Sequence, residues 1–127
     1  MPVDYEVDEV RGLLIWTAAG LTTEADWIAC EQRVWRDPKC RTRLDVLIDV
    51  SRHESVASKA YLEGLISRVV AEPRAKGSHW AIVVSRDVSM GVALQLAAYL
   101  ESTELEIRVF RERDTAEQWL ATERGAG

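Results

Sequence analysis

Apolar and polar residues alternate at the start of the chain, with Val3, Tyr5 and Val7 set against Asp4, Glu6 and Asp8. A period of two predicts a strand over 3–8. Residues 9–12 read as a turn, and the run 13–18 pairs back as a hairpin strand ended by Gly20. The period then lengthens. Thr22 or Thr23 is placed to cap a helix that runs to about Arg36, where Asp37-Pro38 stops it. A third strand is predicted over 44–50, and a second helix over 56–72, ended by Pro73. The stripe Tyr61, Leu62, Leu65, Ile66 and Val69 has the spacing of a buried helix face. A fourth strand over 79–85 leads to Asp87, which can cap a third helix over 88–102. A fifth strand over 105–110 and a helix opened by the capping pair Asp114 and Glu117 complete the order. Residues 1–123 read as one domain, and 124–127 as a loose tail.

The order β-β-α-β-α-β-α-β-α implies an α/β fold with a five-stranded mixed sheet, parallel in its core, with right-handed crossovers. The strands refine this. Leu105, Ile107 and Val109 alternate with Glu106 and Arg108, and Leu44, Val46, Ile48 and Val50 alternate with Asp45 and Asp49. A parallel sheet covered on both faces reads as continuous apolar runs. Alternation predicts helices mostly on one face. Trp16, Leu47, Val83 and Phe110 then fall on a second, partly covered face, which is free to pair with another copy. A homodimer is expected on that ground.

Composition narrows the partners. A chain of 127 residues supports one core without disulfides or metal. The net charge of −5 disfavours nucleic acid and anionic membranes. Cys30 and Cys40 have neither zinc-ribbon nor redox-pair spacing, and read as an ordinary helix cysteine and a loop cysteine. The two histidines are too few to complete a metal site with them. No apolar run reaches membrane-span length, and the charged, strand-like start is not a signal peptide, so a cytoplasmic protein is expected. Gly77 and Gly91 stand alone, with no phosphate-cradling loop and no cofactor implied.

In open α/β sheets, sites gather at the carboxyl ends of strands and the helix N-termini beyond them. Asp49 ends the third strand. Ser51, His53, Ser55 and Ser58 follow it in the stretch 51–58, and Asp87 and Met90 belong to the neighbouring stretch 85–91. These residues form the candidate partner-binding surface. The plainer reading is that Ser55 or Ser58 caps the second helix. Asp49, His53 and Ser55 could be imagined as a hydrolytic triad. There is no GxSxG elbow, however, and residues this close in one loop rarely reach triad geometry. No catalytic residue is assigned.

Two stretches, LDVLIDVS at the third strand and LEIRVFRERDTAEQWL at the end, resemble the STAS domains (sulphate transporter and anti-sigma factor antagonist). The resemblance spans nearly the whole chain and is closest to small stand-alone bacterial STAS-like proteins of unassigned function. In that family a serine at the start of the helix after the third strand is phosphorylated by a partner kinase that is also an anti-sigma factor. Counted without gaps from Asp49, that serine corresponds to Ser58. Ala57 stands where the family has Asp, and Lys59-Ala60 where it has Ser-Gly. The resemblance implies a non-enzymatic module that binds another protein, with Ser58 as its phosphosite. The same superfamily shape resembles CRAL-TRIO lipid-transfer domains, which implies the alternative of a lipophile carrier. Its groove would lie between the second and third helices, lined by Met90, Leu94 and Tyr61.

Overall fold

The computed structural model describes residues 2–41, 43–54, 59–71, 77–99, 101 and 105–126. The chain begins as a hairpin of β1 (Val3–Asp8) and β2 (Leu13–Gly20). Asp8 Oδ1 accepts the Arg11 N–H at 3.0 Å, and Gly12 takes the left-handed backbone (φ 64°) that closes the turn. α1 (Glu24–Arg36) opens with a capping box. The Thr23 hydroxyl accepts the Asp26 N–H, and the Asp26 carboxylate accepts the Thr23 N–H. A 3-10 turn at Pro38–Cys40 follows, and then β3 (Asp45–His53), α2 (Lys59–Ala71), β4 (His79–Val83), α3 (Asp87–Tyr99), β5 (Glu106–Phe110) and α4 (Arg113–Ala126). The strands stand in the order β1-β2-β3-β4-β5; β1 is antiparallel to β2, and the other pairs are parallel. This is the expected five-stranded mixed sheet.

Each sheet face carries its own core. On the first, Leu14, Trp16, Val46, Trp80 and Ile82 pack with Cys30 and Val34 of α1, Leu65 of α2, and Ala93 and Leu96 of α3. On the second, Leu13, Ile15, Leu47, Ala81 and Val83 pack under Ala116, Trp119 and Leu120 of α4, with Phe110 at the margin. Among the described residues, α1, α2 and α3 thus share one face and α4 closes the other.

Several expectations are corrected. Trp16 lies on the first face, stacked on Trp27 at 6.0 Å. Leu47 and Val83 do lie on the second face, but α4 buries them, so the apolar surface that motivated a homodimer is internal. Asp45 is buried as well, and its carboxylate accepts the His79 N–H at 2.9 Å. Glu106 and Arg108, on the edge strand, remain exposed. Asp114 lies inside α4 rather than capping it, and the helix continues to Ala126, through most of the stretch read as a tail. Ser55 and Ser58 lie outside the described residues. Cys30 and Cys40 are buried and not joined in a disulfide, and burial pushes the Cys30 thiol up to about 11.

Candidate functional site

β3 runs three residues past its expected end, because Arg52 pairs with Ala19 and His53 with Gly20. Between Thr17 and Ala19 the register shifts, and β3 holds one more residue than β2. A one-residue offset turns later side chains to the opposite face. Asp49 precedes the shift and, two residues from Leu47, faces α4 as Leu47 does. Its Oδ1 accepts the Ser51 N–H at 3.0 Å and the Ser51 hydroxyl at 2.6 Å, and Arg113 Nη1 lies 3.4 Å from its Oδ2. His53 faces α1. It is buried, its Nε2 lies 2.6 Å from Thr22 Oγ1, and its ring stands edge-on to Trp27 at 5.7 Å. The Trp27 indole N–H also donates to Thr22 Oγ1, at 2.9 Å. Asp49 and His53 are thus on opposite sides of the sheet, and the imagined triad does not assemble.

The rim beyond β3 and β4 is a polar chain. The Ser85 hydroxyl donates to the Ser51 carbonyl at 2.6 Å. Arg111 donates to the Ser85 carbonyl at 3.1 Å and to the Asp87 carboxylate at 2.8 Å. Arg86 donates to the His53 carbonyl at 3.3 Å. Of the residues expected at the site, Asp49, Ser51 and Asp87 meet on this rim. Met90 is half-buried against the first core, and His53 is inside it.

Burial, with a smaller contribution from Arg86, holds the His53 imidazole below its ordinary value of 6.5. The unfolded chain binds the proton more readily, so the stability His53 contributes is fully present above about pH 6.5 and is lost as the pH falls toward the folded value. His53→Gln should flatten the slope of unfolding free energy against pH just below 6.5, measured by denaturant titration across that range. A slope unchanged by the substitution would refute this.

Helix α3 shows a different surface. Its buried side carries Ser89, Ala93 and Leu96, yet Val88 (48 % exposed) and Leu94 (54 % exposed) point to solvent. Gly91 and Ala98 are exposed too, and a Cβ built at Gly91 would meet nothing within 4 Å. A helix apolar all round normally lies inside a protein. This one has an uncovered apolar stripe that begins beside the Asp87–Arg111 ion pair.

A groove of ≈320 Å³ opens between α1 and α2, lined by Ile28, Glu31, Trp35, Tyr61, Gly64 and Arg68 among others. Glu31 is buried at its floor. The Tyr61 hydroxyl and the Trp35 indole N–H donate to its carboxylate at 3.1 Å each, and Arg68 holds both of its oxygens. Burial pushes the Glu31 carboxyl up, but the bonds from Arg68, Trp35 and Tyr61 outweigh it and leave the group below its ordinary range. The sequence predicts a carrier groove elsewhere, between α2 and α3. Tyr61 instead turns to α1, and Leu94 is at the surface. Sequence reasoning missed Glu31, since an acid in an amphipathic helix reads as a solvent residue.

Protein-family models give no match to this sequence, and no curated protein matches it. Among solved structures the chain is similar to an uncharacterized protein of the DUF3478 family from Shewanella loihica PV-4, described as having a SpoIIAA-like fold. The two are 16 % identical with a TM-score of 0.59, over 93 % of this chain and 91 % of that one. The fold of this chain is therefore SpoIIAA-like, that is, STAS-like. Among the described residues, no helix is long and apolar enough to cross a membrane.

Proposed function

We propose that this SpoIIAA-like chain is a non-enzymatic, cytoplasmic interaction module that binds another protein through the outer stripe of α3 and the adjoining polar rim. The observation that carries the reading is the exposure of Val88 and Leu94 on a helix whose other side is core. Asp87 and Arg111 give the edge of that stripe charges of both signs, the usual composition of an interface rim. With α4 over the second sheet face, the same stripe is also where a second copy of the chain would pair.

Substituting Val88→Asp together with Leu94→Asp should abolish recovery of the partner from native cells. Val10→Asp, at an equally exposed position outside the stripe (91 % exposed), should not. All the proteins should unfold at similar temperatures, because the substituted side chains are solvated. Equal recovery by the double variant would remove α3 from the interface. Mass spectrometry of the same preparations tests Ser58. No phosphate is expected there, because Ala57 replaces the acid that precedes the family serine. A phosphate on Ser58 would make the module a phospho-switch.

A further inference from the structure

His79 opens β4 and stands opposite Glu106 in the register of β4 and β5. Cross-strand partners project from the same face, so the two side chains meet. That face is the one under α4. Trp119 packs edge-on against the His79 ring at 5.8 Å, and Glu123 lies one helical turn beyond Trp119. His79 Nε2 is consequently 3.6 Å from Glu106 Oε2 and 3.7 Å from Glu123 Oε2. One ligand atom from each of the three residues lies within 4.8 Å of the others.

On the other side of the ring, Nδ1 is 3.4 Å from Asp45 Oδ1, the same oxygen that accepts the His79 backbone N–H. A carboxylate accepts, so it favours the tautomer that carries hydrogen on Nδ1 and turns the Nε2 lone pair toward the two glutamates. A buried carboxylate behind a histidine, with that histidine's free nitrogen aimed at further carboxylates, is the usual construction behind a metal-ligating imidazole.

The spacing also agrees. Oxygen and nitrogen ligands lie about 2.1 Å from Zn²⁺, which places two ligands of a tetrahedral site about 3.4 Å apart. The two separations from His79 Nε2 exceed that by a few tenths of an ångström, and the two carboxylates bring ligand oxygens within 4.8 Å of each other. Among the described residues, Arg108 is a competing cation 3.9 Å from Glu106 Oε1, the oxygen that does not face His79 Nε2, and its guanidinium lies over the Trp119 ring. Oε2 is left for the cluster.

We propose that His79, Glu106 and Glu123 bind one divalent cation of intermediate softness, Zn²⁺ or a metal like it, with Asp45 as the positioning residue. One imidazole and two carboxylates suit such an ion better than a hard cation, which prefers oxygen alone. Three protein ligands leave a coordination position for water on the solvent side, where Glu106 is exposed. The ion would tie the far end of α4 to the amino ends of β4 and β5, away from the rim at the carboxyl ends.

The test is calorimetric titration of tag-free, chelator-treated protein with Zn²⁺ at neutral pH, beside the variant carrying Glu106→Gln and Glu123→Gln. Both glutamates are at least partly exposed, so the variant should fold. The wild type should bind one equivalent and unfold at a higher temperature with Zn²⁺ present. The double variant should lose both effects, and excess Mg²⁺ should not compete. Co²⁺ in the wild type should give the visible absorption of a nitrogen- and oxygen-ligated tetrahedral ion, lost in His79→Ala. A wild type that takes up no Zn²⁺, or a double variant that binds it equally well, would overturn the proposal. That result would leave His79 as an ordinary partner of surface carboxylates.

Discussion

Leu47→Ala should lower the free energy of unfolding by about 2–5 kcal/mol. Leu47 is 0 % exposed, at the centre of the core between the sheet and α4. Its neighbours Ile15, Ala81, Val83 and Leu120 belong to three different elements, so relaxation into the space would have to move several backbones at once. The loss is large beside the roughly 5–15 kcal/mol that holds an ordinary domain together. Thermal and denaturant unfolding should both show it, with a fall in melting temperature on the order of 10 °C. A change below about 1 kcal/mol would mean that α4 is not firmly seated on the sheet.

Glu31→Ala should cost about 1–3 kcal/mol by a different route. The Tyr61 hydroxyl, the Trp35 indole N–H and Arg68 all lose the carboxylate they bind. The penalty rests mainly on the buried Tyr61, because the Arg68 side chain is 43 % exposed and water can replace much of its pairing. Arg68→Ala should therefore be milder at neutral pH. It should also alter the response to acid. Glu31 sits below its ordinary value of 4.5, so its contribution is present above that pH and lost as the pH falls through the folded value. Without Arg68 the loss should begin at a higher pH. Denaturant titrations of both variants at neutral and acidic pH measure this, and an Arg68→Ala protein that loses more stability at neutral pH than Glu31→Ala would contradict it.

The hairpin, the three parallel strands and the helices between them were legible in the sequence, because each strand is short, apolar and bounded by turn or capping residues. The side of the sheet on which each residue lies was less so. In Leu13, Leu14, Ile15 and Trp16 every position is buried, so the run has no alternation from which to place Trp16. The alternation in Glu106–Phe110 reflects an edge strand, not a bare face. Glu31, His79 and Glu123 gain their surroundings from residues far away in the chain. Only the packing of α1 on α2, the pairing of β4 with β5 and the seating of α4 bring those neighbours together. The apolar stripe on α3 had no periodic signature either, since Val88, Val92, Ala93, Leu94 and Leu96 surround the helix.

The shifted register near Val50 bears on how related chains should be aligned. A homologue that lacks the extra residue in β3 needs a single gap there before its later positions can be matched. Without the gap, a residue facing α4 in one protein would be equated with one facing α1 in the other. A profile built from such a mismatch would blur hydrophobic and polar columns from His53 onward and would understate the kinship of the two chains. The same reasoning makes a one-residue deletion at this point a mild edit for the pairs that follow it. It would remove the bulge and leave Arg52 opposite Ala19 and His53 opposite Gly20.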